Sequence, residues 1–257
     1  MFAEIKYFLR SRLTPAVRVI FVLNVGIFLA QITVMRLPVI GAFLQVPRGD
    51  VVPDLLTCDP AAILRHGHVW QLVTYAFIHA TPFHLLGNML FLWFLGPLVE
   101  ERIGTSAFYR VYFIAVVVAG VSHLLIQALA RVPRPMVGAS GAVMAIAVVC
   151  AVYYFDLLVY FMGFWPIRLG PLITILLAID AVYLIMPNPG QVANHAHLAG
   201  AAVGYLYAKI NWRIDWSWAD IWRWRWRALT GRLWPFGKRR RPGARIRNIW
   251  DDDFFKK

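Results

Sequence analysis

The chain has 257 residues, 60% hydrophobic and only 15% charged, with a mean hydropathy of +0.61. That leaves too little polar surface to cover a soluble domain, and the apolar residues fall in long blocks rather than alternating strands. The formal net charge of +13 would suggest nucleic acid in a soluble protein. Here the charge lies outside the apolar blocks, where basic flanks set topology and attract anionic lipid headgroups, so nucleic acid is only a minor reading for the tail. Each block is close to the ~20 residues that carry a helix across a ~30 Å hydrocarbon core. The fold class this predicts is an all-α membrane protein.

Residues 1–14 carry Lys6, Arg10 and Arg12 and read as a short amphipathic lead-in on the cytoplasmic side, with no recognisable cleavable signal. The first span covers about 15–35 and ends at Arg36 and Pro38. Residues 38–75 form a long loop with Pro, Gly and three Asp, apolar enough to pack on a membrane surface. Further spans are expected at about 83–99, 108–130, 140–155, 169–186 and 194–210, giving a core over 15–210. Glu100, Glu101 and Arg102 read as a polar turn, and 187–190 as a tight turn holding Asn188 between two prolines. The apolar stretch 157–165 ends at Pro166 and Arg168, so its status is ambiguous.

Six spans place both termini on one side. Fourteen of the 26 Lys and Arg lie from Lys209 onward, the N-terminus is basic, and 187–193 carries none, so both termini are expected in the cytoplasm and the membrane is expected to be the plasma (inner) membrane. In the tail, 211–257, Trp and Arg alternate from Trp222 to Arg227. Such a stretch suits the headgroup zone, ring half-buried and guanidinium in water. Cys58 and Cys150 have no metal-ligand spacing and are not expected to pair.

Polar residues inside apolar spans are costly and mark function by default. Ser140 opens the fourth span within Gly138-Ala139-Ser140-Gly141, where small neighbours leave room for a substrate carbonyl and the helix start favours negative charge. The plainer role for such a serine is a helix cap. His197 shares a helix face with Gly200 and Gly204, a small-xxx-small pair that lets another helix come close, whereas His195 points elsewhere. Contact with the fourth span would bring His197 to Ser140 as a general base. His84 and Asn88, four apart on one face, are candidate donors to an oxyanion; the alternative is interhelical hydrogen bonding. Asp180 lies mid-span, so these residues support a dyad and not a triad.

Together these pieces resemble the rhomboid family of intramembrane serine proteases. They are the run at 138–141, Ala196-His197-Leu198-Ala199-Gly200 with Gly204, His79 with His84 and Asn88, and Gly96, Glu100 and Gly104 spaced as GxxxExxxG. The resemblance implies a six-helix core, a Ser140–His197 dyad, and an oxyanion site of Ser140, His84 and Asn88 with the Gly138 region. It also implies a first external loop half-sunk in the bilayer, transmembrane protein substrates cut near the membrane surface, and no cofactor or metal. Two positions depart from the family pattern. Met144 stands where many members carry an aromatic ring, and Gln71 follows Trp70 where an arginine is common. The rival readings are a non-catalytic rhomboid-like protein that binds or escorts membrane clients, and a small transporter.

Overall fold

In the computed structural model, residues 13–33, 52–130, 134–161, 165–185 and 193–210, with four single positions between 37 and 45, are described. The amphipathic lead-in, most of 34–51, the turn at 187–190 and the tail from 211 lie outside them.

Helix α1 (Pro15–Ile32) starts with proline at its first position and extended Thr14 before it. Its first amides have no partner within the helix. The carboxylate of Glu100 supplies one, accepting from the Ala16 N–H (2.9 and 3.0 Å) and the Val17 N–H (3.0 Å), and from the hydroxyls of Thr14 and Thr105. A buried carboxylate is tolerated there because four donors and a helix dipole surround it.

From residue 52 onward the long loop is built rather than loose. Asp59 caps the short helix α2 (Pro60–His66), which ends at Gly67 in the left-handed region (φ 70°). Helix α3 (Gln71–Thr74) follows, between single 3-10 turns at Asp54–Leu56 and Tyr75–Phe77. Gln71, the departure from the family pattern, is fully buried and ties the loop across itself. Its Oε1 accepts from the Asp59 N–H (3.2 Å), and its Nε2 donates to the carbonyls of Asp54 (3.1 Å) and Leu55 (3.3 Å). A neutral amide, which both donates and accepts, does what an arginine cannot do alone.

Helix α4 (Pro82–Ile103) begins at Thr81, whose hydroxyl accepts from the His84 N–H, and ends at Gly104 (φ 86°). The polar turn expected at 100–102 is therefore corrected. The helix runs through it, because Glu100 is buried and held by hydrogen-bond donors rather than exposed. Helices α5 (Thr105–Ala130), α6 (Ser140–Tyr153), α7 (Leu169–Ile185) and α8 (Asn194–Ile210) follow. Among the described helices, α1, α4 and α5 are long and apolar enough to cross a membrane; α6 and α7 are apolar but shorter.

The ambiguous stretch at 157–168 holds an antiparallel hairpin, β1 (Leu158–Phe161) with β2 (Trp165–Arg168), pairing Leu158 with Arg168 and Phe161 with Trp165. The described residues are otherwise mostly helical, as the all-α expectation has it. Val, Tyr and Phe in a run too brief to span suit a strand, and an exposed Arg168–Asp156 pair (2.6 Å) at its base adds little. The core is centred on α6, nearly all of whose residues are buried among α4, α5 and α8.

Candidate active site

The site is set by how closely α6 and α8 approach. A Cβ on Gly200 would run into the Gly141 carbonyl oxygen, and one on Gly204 into that of Ala145. Both contacts step by four in the same direction, so the helices run parallel, with α8 starting about five residues, roughly 7.5 Å, ahead of α6. Gly141 in turn faces the Ala119 methyl, where an added Cβ would lie 2.8 Å away. Bare backbone on both sides thus allows the start of α6 to touch α8.

Ser140, half-buried, is the first residue of α6 and not its cap; Ala139 holds that position. Its Oγ lies 2.8 Å from His197 Nε2. His197 Nδ1 lies 3.1 and 3.2 Å from the two carboxylate oxygens of Asp180. A carboxylate can only accept, so Nδ1 carries the proton and Nε2 accepts from the serine hydroxyl. The expectation of a dyad without an acidic partner is corrected here. Asp180 lies five residues, roughly 7.5 Å, from the end of α7, and His197 three residues into α8, so the two meet at one depth. Asn194 Nδ2 also donates to Asp180 Oδ1 and fixes the carboxylate. Sequence reasoning missed Asp180 and Asn194. The available signal was the spacing of Asn194 and His197, three apart on one helix face.

On the facing side, His84 packs its ring over Gly138. A Cβ at Gly138, already at φ 110°, would lie 2.6 Å from His84 Nε2. The Gly138 N–H donates to the Tyr75 carbonyl (2.9 Å). Gly138 therefore gives the ring space, and its amide is not available to an oxyanion. Asn88 is buried, with Nδ2 donating to His79 Nε2 (3.1 Å) and a second amide hydrogen remaining. His79 is clamped in turn by Gln31, which accepts from its backbone N–H and donates to its carbonyl, both at 3.1 Å. Met144 is half-buried and packs against the core one turn below Ser140.

Burial, and secondarily the neighbouring His84 charge, holds the His79 imidazole down to about 3. The sign follows. The unfolded chain takes up a proton near 6.5 and the folded chain does not, so stability is complete above pH 6.5 and declines as pH falls toward 3. The slope is at most about 1.4 kcal/mol per pH unit. Denaturation followed from pH 7 to 4 should flatten in His79→Gln, which cannot protonate. In the loop, burial and Asp59 push the Cys58 thiol up to about 12, which removes it as a rival nucleophile.

A serine hydroxyl, an imidazole and a carboxylate thus stand in hydrogen-bonded series between apolar helices of a helical membrane protein. Residues 66–214 match the family model described as Rhomboid domain, and the chain belongs to the rhomboid family. It is 31% identical over 153 residues to RHOMBOID-like protein 1 of Arabidopsis thaliana, covering 58% of this chain and 36% of that protein. It is 37% identical over 73 residues to Rhomboid-like protease 3 of Toxoplasma gondii, 28% of each chain. With the Rhomboid protease GlpG of Yersinia pestis it shares 26% over 188 residues, 69% of this chain and 60% of that one. The matches thus span less than two thirds of each relative. The chain is an integral membrane protein of this family.

Proposed function

We propose that the chain is an intramembrane serine endopeptidase that hydrolyses peptide bonds of transmembrane proteins near the membrane surface. The observation that carries this is the 2.8 Å contact of Ser140 Oγ with His197 Nε2, backed by Asp180. In this reading His197 takes the serine proton as Oγ attacks the carbonyl, then returns it to the leaving amine. Asp180 holds the ring in the productive tautomer. Water enters next, loses a proton to His197 and attacks the acyl carbon; as the carbon–Oγ bond breaks and the acid leaves, His197 returns the proton to Ser140 Oγ. The oxyanion is met by the Ser140 N–H at the positive end of α6, by the second amide hydrogen of Asn88 and by His84. No cofactor or metal takes part.

The core over 15–210 crosses the bilayer six times, α6, α7 and α8 completing the set begun by α1, α4 and α5. Both termini are cytoplasmic, the first loop lies half-sunk on the outer face, and the tail from 211 sits against anionic headgroups.

The test uses purified full-length chain in liposomes with a single-span substrate and a serine-directed phosphonate. Fragments identified by mass, loss of cleavage with the phosphonate, and an adduct on the Ser140 peptide are expected. Neither fragments nor adduct would favour the non-catalytic client-binding reading; cleavage indifferent to the phosphonate would point to another nucleophile. Asn88→Ala should keep measurable activity but lose about 10²–10³-fold in kcat, since one oxyanion donor is worth about 2.7–4 kcal/mol.

A further inference from the structure

Two histidines outside the triad have their side chains joined. His123, buried in α5, has Nδ1 2.9 Å from His195 Nε2, and the rings lie nearly parallel at 5.1 Å between centroids. His123 Nε2 lies 2.7 Å from the Arg134 carbonyl oxygen. A carbonyl can only accept, so His123 Nε2 carries the proton, Nδ1 accepts, and His195 Nε2–H is the donor. The relay has a fixed direction, from α8 through α5 to the segment before Ser140.

Both ends of the relay lead to the site. The segment 134–138, which bridges antiparallel to Cys58 at Met136, is pinned at alternate residues. The Arg134 carbonyl is held by His123, Met136 by paired backbone bonds to Cys58 (2.9 and 3.0 Å), and the Gly138 N–H by Tyr75. Ser140 follows two residues later. At the other end, Asn194 and His197 both face Asp180 while His195, between them, faces His123. The start of α8 is thereby held from two sides. The Ser122 hydroxyl adds a long contact to the His195 carbonyl (3.5 Å). One turn before His123, Ala119 meets Gly141. Helix α5 therefore touches both halves of the site at neighbouring turns.

We propose that His123 and His195 are positioning residues, which fix the segment before Ser140 and the start of α8 to one another so that the serine and His197 stay in hydrogen-bonding register. This rests on the peptidase reading above. Displacement of reacting groups by about 1 Å can cost on the order of 10²-fold, so loss of one pin among several should cost on the order of tenfold.

The test compares wild type, His123→Leu, His195→Phe and His123→Gln in liposomes. Readouts are kcat, KM, the rate of Ser140 labelling by a small fluorophosphonate, and the thermal unfolding midpoint. His195→Phe keeps a ring stacked on His123 but removes the donor, so it covers the case in which His123→Leu fails to fold. Both apolar variants should lose on the order of tenfold in kcat and in labelling rate, with KM within about twofold. A glutamine amide can donate to the Arg134 carbonyl and accept from His195, so His123→Gln should recover most of the loss. A His195→Phe protein that cleaves and labels like wild type would overturn the proposal, as would a folded His123→Gln protein no better than His123→Leu. Wild type that neither cleaves nor labels discards the peptidase reading and this proposal with it. Wild type that does both while the variants match it discards the positioning role alone.

Discussion

Cleavage by the Ser140→Ala or His197→Ala protein is expected to fall by about 10⁴-fold or more, to a residue of activity supplied by binding and oxyanion donors alone. The two losses should be nearly equal, and the double variant no worse than either, because the hydroxyl is a weak nucleophile unless the imidazole removes its proton. The 2.8 Å contact already holds the pair in that relation. Asp180→Asn should cost less, roughly 10²–10⁴-fold, through the tautomer. An amide facing Nδ1 can donate, which turns the ring proton toward Ser140 and removes the acceptor the hydroxyl needs. Fragment yield per hour in liposomes, with equal protein confirmed by circular dichroism, decides the matter. Serine and histidine variants that both cleave at wild-type rate would remove the peptidase reading.

The second large effect concerns a residue with no chemistry of its own. Gly200→Ala adds a single methyl, yet that carbon would collide with the Gly141 carbonyl oxygen on the neighbouring helix. Backbone cannot rotate aside as a side chain can, so α8 must move away from α6, and His197 moves with it. Overpacking of this kind costs about 1–3 kcal/mol of stability, and the displacement should lower kcat on the order of 10²-fold. Gly204→Ala, set against Ala145 one turn deeper, should destabilise comparably while moving His197 less. Thermal unfolding and turnover, measured together, separate the two. A Gly200→Ala protein as stable and as active as wild type would mean that the helices are not held by this contact.

The sequence carried the membrane class and the face of α8 because both rest on local signals. Apolar length reports a bilayer, and His197, Gly200 and Gly204 share a face by spacing alone. Asp180 could not be read so. A mid-span aspartate says nothing about which helix its level matches; that depends on how α7 and α8 pass one another, which residue spacing alone does not report. The polar residues at 100–102 misled for a related reason. Glu100 is charged and looks like an end, but donors from residues 14–17 make it a buried acceptor. The hairpin at 158–168 was ambiguous because a short apolar run does not declare its period. Gln71 was judged as a missing arginine, when its value lies in the acceptor that arginine lacks.

Glu100 also bears on the order of assembly. Its carboxylate reaches amides 84 residues earlier in the chain. During synthesis the first helix must therefore enter the membrane with its leading amides served by water or headgroups, and can be latched only once the end of α4 has emerged. Glu100→Gln should thus show itself in newly made protein, as a longer-lived, protease-sensitive N-terminal segment, while molecules that do complete the bundle turn over substrate normally.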